Sequence, residues 1–181
     1  MAWVHGPEAR KSSQIAVKMI KRLLKPGFEK DTSIDLINST ISLNTEEDMY
    51  ATLDITILDL YSGDIELIKN GACPTFIKSK DNNIQVIQSM SLPAGLLNDM
   101  EVIVYDKKLE NGDIILMCTD GIIESNNKYE NKEEWVKEIL QKLNTDNPQK
   151  IADIILKEAI DNGYGKAKDD MTVIVGKVNK K

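Results

Sequence analysis

Six short stretches rich in Ile, Val, Thr and Leu follow one another between residues 50 and 118, and no segment of helical period separates them. They are residues 50–60, 65–70, 75–79, 84–88, 101–105 and 113–118. Turn residues bound them: Ser62-Gly63-Asp64, Asp81-Asn82-Asn83 and Asn111-Gly112. β-Branched runs closed by Gly, Asn and Asp predict strands joined by hairpins. A parallel sheet needs a crossover helix between strands, and the spacing leaves no room for one. The chain is therefore committed to antiparallel sheets.

Helical periodicity appears only on either side of this block. Residues 8–25 carry Ala16, Met19, Ile20, Leu23 and Leu24 on one stripe, and Pro26-Gly27 stops the helix. A second helix is expected from Thr32, where Thr32 and Asp35 resemble a capping box, with Ile34, Ile37 and Ile41 on its inner face. Residues 131–143 are amphipathic through Trp135, Val136, Ile139, Leu140 and Leu143. Residues 148–162 have Asn147 as cap and Pro148 at the first helical position. A last strand spans 171–178. Strands and helices in separate blocks define an α+β fold.

Two acidic motifs lie at the ends of expected strands. The apolar run 114–118 delivers Thr119-Asp120-Gly121, and Asp169-Asp170 precedes the run that begins at Met171. Carboxylates at strand ends can converge on one point, as a hard cation such as Mg²⁺ or Mn²⁺ requires. Gly121 is expected to let the backbone turn sharply and to leave a ligand room. An Asp-Gly after a strand is also a common turn, and an Asp-Asp before one a common solvated loop. Spacing alone leaves both readings open. Asp54, between Thr52 and Thr56 in mid-strand, either faces solvent or lies beneath such a site. Pro74 and the segment Leu92-Pro93-Ala94-Gly95 read as loop-shaping residues. Glu8, Arg10 and Lys11 read as a solvated first helical turn.

At 181 residues the chain has the size of a single domain. Its net charge of −6 opposes nucleic-acid binding, which needs clustered positive charge. No apolar stretch approaches a membrane span, and no signal peptide is visible. Neither Cys73 nor Cys118 has metal or redox spacing. Both read as small buried apolar residues in a reducing cytoplasm. The lone His and the two Cys form no nucleophile–base pair.

The two motifs in this order, with Tyr50–Leu60, Gly71–Ile77, Leu92–Gly95, Glu130–Trp135 and Asn147–Asp153 between them, resemble the metal-dependent (PPM-type) serine/threonine protein phosphatases. More narrowly, they resemble the phosphatase domain of the stage II sporulation protein E family. The likeness runs from about residue 6 to residue 178. It implies a four-layer α-β-β-α sandwich of two antiparallel sheets. It also implies a two-metal Mn²⁺ or Mg²⁺ site in which Asp120 and Asp169 are ligands and Gly121 contributes only backbone. Asp170 and Asp54 would then stand behind the ligands.

One departure accompanies the likeness. The family has an Asp-Gly-Met-Gly metal motif just before the segment that aligns with Gly6-Pro-Glu-Ala-Arg-Lys11, where this chain reads Met1-Ala-Trp-Val-His5. The expectation is an N-terminally truncated domain, with residues 1–5, Trp3 and His5 included, as junction residues. The implied activity is dephosphorylation of a phosphoserine on an anti-sigma-factor antagonist during sporulation, by a cytoplasmic domain whose full-length relatives are membrane-anchored through upstream segments. The alternative is a catalytically inactive regulatory module that binds a partner or a second copy. A homodimer is expected through the stripe of helix 8–25, which would find too little sheet to cover it.

Overall fold

The computed structural model describes residues 7–24, 27, 29–43, 50–97, 102–167 and 169–179, with backbone alone at 7–12 and 24. Among the described residues, five helices and seven strands follow in the order α1 (Pro7–Leu24), α2 (Lys30–Leu43), β1 (Leu53–Leu58), β2 (Asp64–Asn70), β3 (Thr75–Lys78), β4 (Ile84–Ile87), β5 (Val104–Lys108), β6 (Ile114–Cys118), α3 (Asp120–Ile123), α4 (Glu134–Lys142), α5 (Pro148–Asn162) and β7 (Val173–Lys177). No described helix is long and apolar enough to cross a membrane. The expectations placed on Trp3, His5, Pro26 and Glu101 lie outside the described residues, as do those on the side chains of Glu8, Arg10, Lys11 and Leu24.

The strands form two sheets, one in the order β1-β2-β5 and one in the order β4-β3-β6-β7. The described residues divide into two compact units, drawn from Met1–Thr56, Glu66–Ala72 and Ser89–Tyr105 on one side and Ile57–Ile65, Cys73–Gln88 and Asp106–Lys181 on the other. Each unit has its own core.

In the first unit, α1 and α2 cover β1 and β2. Ala16, Ile34, Ile37, Ile41, Leu53 and Ile68 are buried together. Met19 and Ile20 are half-buried against the same cluster. Ala16, Met19 and Ile20 of the α1 stripe thus pack within their own unit, contrary to the expectation that the stripe would find too little sheet to cover it. Helix α2 begins two residues before Thr32, so Thr32 and Asp35 are not a capping box. The entry is made at Glu29, whose carbonyl accepts both Ser33 N–H (2.9 Å) and Ser33 Oγ–H (2.8 Å). Asn38, almost fully buried, fastens the 93–97 loop to α2. Its Nδ2 donates to Leu97 O (2.9 Å), and its Oδ1 accepts Gly95 N–H (2.7 Å). Pro93 sits against Gly71, where the backbone has φ +61° and an added Cβ would lie 2.6 Å from the proline ring. The loop-shaping role read for Leu92–Gly95 agrees with these contacts.

The second unit is built on the antiparallel register Phe76↔Leu116 and Cys118↔Val173. Phe76, Leu116, Ile122, Trp135, Leu140 and Ile155 bury one face of the sheet beneath α4 and α5. Trp135 donates its indole N–H to Ile123 O (3.2 Å), which satisfies the one polar atom of an otherwise apolar side chain. Helix α5 matches its sequence expectation to the residue. Asn147 Oδ1 accepts Lys150 N–H (3.0 Å), and Pro148 opens the first turn.

Two strand expectations are corrected. β5 is displaced toward the C-terminus, to Val104–Lys108, and it pairs with β2 rather than forming a hairpin with β6. The Asn111-Gly112 turn therefore carries the chain from one sheet to the other. The residues after Thr119 were expected to be a turn and instead form the short helix α3.

Candidate metal site at the β6–β7 end

The carboxylates of the second unit are placed by the end of the β6–β7 ladder. Cys118 pairs with Val173, and the pairing continues one residue further. Thr119 N–H donates to Thr172 O (3.1 Å). Thr172 N–H donates to Thr119 Oγ1 (2.9 Å), and Thr119 Oγ1–H donates to Asp170 O (3.0 Å). The chain then turns directly into α3, so Asp120 stands in the first turn of a helix. There Asp120 Oδ1 accepts Gly121 N–H (3.0 Å), one of the amides that a helix start leaves without a partner. The negative charge is also favoured at that end of the peptide dipoles.

Gly121 has a different role from the one its sequence position suggests. Its φ is not positive, so the backbone does not need glycine in order to turn. It needs glycine because the Asp169-Asp170 backbone occupies the place of a side chain. A Cβ on Gly121 would lie 2.6 Å from Asp170 O and 3.3 Å from Asp169 Cβ. This close approach sets Asp169 against the residue that follows Asp120. Asp169 Oδ1 in turn accepts Asp170 N–H (2.7 Å). Asp120 is half-buried, and Asp169 and Asp170 are exposed.

A cleft of about 270 Å³ opens beside Asp169, lined by Gly121, Glu124, Ser125, Lys132, Asp169 and Met171 among others. A larger cavity of about 520 Å³ lies at the opposite end of the same sheet, where β3 and β7 finish. Two of its lysines are engaged: Lys78 donates to Leu140 O (2.5 Å), and Lys177 pairs with Asp146. The smaller cleft is the candidate site because it is lined by Asp169 and Gly121, next to Asp120.

The sequence expectations divide accordingly. Asp120, Gly121, Asp169 and Asp170 come together. Asp54 belongs to the first unit, where its Oδ2 accepts from the fully buried Lys69 ammonium at 2.7 Å. Removing Asp54 would strand the buried Lys69 ammonium. Thr119, Glu124 and Lys132 were not singled out as site residues. Thr119 had a visible signal: it is the polar residue that ends the apolar run before Asp120.

The donors fit a divalent hard cation in kind, being carboxylate oxygens held by backbone amides, Asp120 at the start of α3 and Asp169 in the loop before β7. Among the described residues, no group of three or more His, Cys, Asp or Glu side chains is arranged to hold a metal ion.

Comparison with known proteins identifies the family and the fold. Residues 5–179 match the family described as Stage II sporulation protein E. The chain belongs to the stage II sporulation protein E family. The stage II sporulation protein E of Bacillus subtilis (strain 168) is 35% identical over 175 residues, which cover 97% of this chain and 21% of that protein. The chain thus spans about a fifth of that relative. A solved structure of the PP2C phosphatase domain with a fragment of the regulatory domain, from Bacillus subtilis, superposes with a TM-score of 0.84 at 36% identity, covering 94% of this chain and 50% of that one. A second structure, of the Bacillus subtilis phosphatase domain presoaked with Mn, gives 0.70 at 32% identity, covering 99% and 77%. The fold of this family member is that of the PP2C phosphatase domain.

Proposed function

We propose that the chain is the phosphatase domain of a sporulation protein and hydrolyses a phosphoserine ester with the help of Mn²⁺ or Mg²⁺. The observation that carries this reading is the seating of Asp169 against Gly121, beside Asp120, in a chain of the PP2C fold. Asp120 and Asp169 would hold the metal. When bound, the cations supply Lewis acidity toward water and toward the phosphoryl oxygens. The protein's own contribution is positional. Gly121 N–H fixes Asp120 Oδ1, Asp170 N–H fixes Asp169 Oδ1, and the adjoining cleft admits a side chain of phosphoserine size. No enzyme nucleophile is needed in such a reaction, because water is the attacking group.

We take the phosphoserine to belong to an anti-sigma-factor antagonist, and the domain to work on the cytoplasmic side, as the sequence resemblance implies. The full-length relative is about five times as long as the matched segment. Asp120→Asn tests the proposal. In a chain that carries the family's upstream Asp-Gly-Met-Gly motif, the variant should release phosphate from a phosphoserine protein at least ~100-fold more slowly than wild type in Mn²⁺, with an unchanged circular dichroism spectrum. Near-normal turnover removes Asp120 from the mechanism. No metal-dependent release by the wild type leaves the inactive interaction module as the reading.

A further inference from the structure

Thr119 sits at the cap position of α3 with extended backbone angles, φ −83° and ψ 165°, yet its side chain makes no cap bond to the helix. A threonine in that conformation ordinarily accepts from an amide of the first turn. Here the hydroxyl is used elsewhere. A hydroxyl has one proton to give and can accept at its lone pairs. Thr119 gives its proton to Asp170 O and accepts Thr172 N–H. Its own N–H reaches Thr172 O. Three bonds from one residue thus grip residues 170–172, immediately after Asp169.

The same Asp170 carbonyl is the atom nearest the missing side chain of Gly121, at 2.6 Å from the built Cβ position. The residue before Asp120 holds that carbonyl by a hydrogen bond, and the residue after Asp120 leaves room for it. The tripeptide 119–121 is therefore a jig. Its central residue bears one carboxylate, and its flanks dock the loop that bears the other.

We infer that Thr119 is a positioning residue that sets Asp169 in register with Asp120 for a shared divalent cation; the inference rests on the metal-dependent reading above. Asp169 itself is exposed, so little packing restrains it, and its place depends on the anchor one residue downstream. Valine keeps the shape of threonine without the hydroxyl, and serine keeps the hydroxyl without the methyl.

The test is a Mn²⁺ titration of the chain carrying the family's upstream Asp-Gly-Met-Gly motif, followed by electron paramagnetic resonance of the free ion. It compares wild type, Thr119→Val, Thr119→Ser and, as the site control, Asp120→Asn. Amide exchange at Thr172 is measured in parallel. Thr119→Val should bind Mn²⁺ about 10-fold more weakly, the usual loss when a group supporting a ligand is removed. It should also exchange the Thr172 amide faster. Thr119→Ser should restore both. Wild-type binding that exceeds Asp120→Asn but is unchanged in Thr119→Val overturns the inference alone. Equal loss in the serine and valine variants also overturns it, since the methyl and not the hydroxyl would then be responsible. Wild-type binding no tighter than that of Asp120→Asn overturns the metal reading and this inference with it.

Discussion

At the scale of single residues, the site shows why a motif's letters do not disclose their reasons. Asp120 and Asp169 could be singled out because one carboxylate follows the apolar run 114–118 and the other precedes the run that begins at Met171, and the structure brings Asp169 against Gly121, next to Asp120. The reason for Gly121 was not legible. Its partner in space, Asp170, is 49 residues away, and nothing local tells a glycine needed for turning from one needed for contact. The structure assigns it to contact, and this gives a prediction. Gly121→Ala places a Cβ 2.6 Å from Asp170 O, and the obstructing atom is backbone rather than a flexible side-chain tip. The variant should lose about 1–3 kcal/mol of stability, the range for forcing a group into a filled space. Urea unfolding at neutral pH measures it. A loss below ~0.5 kcal/mol, the scatter of ordinary surface changes, would show that the loop gives way freely and is not seated.

At the scale of elements, success followed the locality of the signal. Helix α5 was found to the residue because Asn147 and Pro148 mark its start within two positions. β5 was misplaced because its C-terminal half reads Asp106-Lys107-Lys108, with no apolar residue to announce a strand. It lies at the edge of its sheet, where backbone pairing needs no apolar face and lysines are a common way to discourage further pairing. α3 was missed because four residues cannot display a helical period.

The turn between β1 and β2 illustrates a local signal that can be titrated. Asp59 Oδ1 accepts Ser62 N–H (3.0 Å) and Tyr61 N–H (2.8 Å). These bonds, that from Ser62 foremost, hold the carboxyl below its ordinary value of 3.8. A depressed value means that the ionised carboxylate stabilises the folded turn. That contribution is complete above the unfolded value and is lost as pH falls through the lower folded one. The Tyr61 and Ser62 amide resonances should therefore hold their positions from neutral pH down to the ordinary aspartate range and move only below it. A midpoint at or above 3.8 would show that the two bonds do not favour the ionised form.

At the scale of the whole molecule, the two-unit organisation was hidden in the sequence because the units are interleaved along the chain. Residues 66–72 and 89–105 return to the unit that the N-terminal helices began. Covering the α1 stripe within that unit moves the expected site of self-association elsewhere. The first unit exposes Leu43 (85%), Met90 (80%), Leu97 (51%) and Leu96 (47%), and Asn38 fixes the loop bearing Leu96 and Leu97 to α2. Leucines held on a fastened loop cannot easily turn inward, and exposed apolar side chains of this size are candidates for an interaction face. For identical chains a closed two-fold contact is the commonest arrangement, and it hides the same patch on both copies at once. The chain should sediment with a concentration-dependent mass that rises toward that of a dimer. The double substitution Leu96→Glu with Leu97→Glu should hold it at monomer mass, because each copy would then bring like charges to the contact. The exchanged side chains are already exposed, so the variant should keep the wild-type circular dichroism spectrum. A wild-type chain that stays strictly monomeric at high concentration would refute the contact. A dimer that survives both glutamates would place it on another surface.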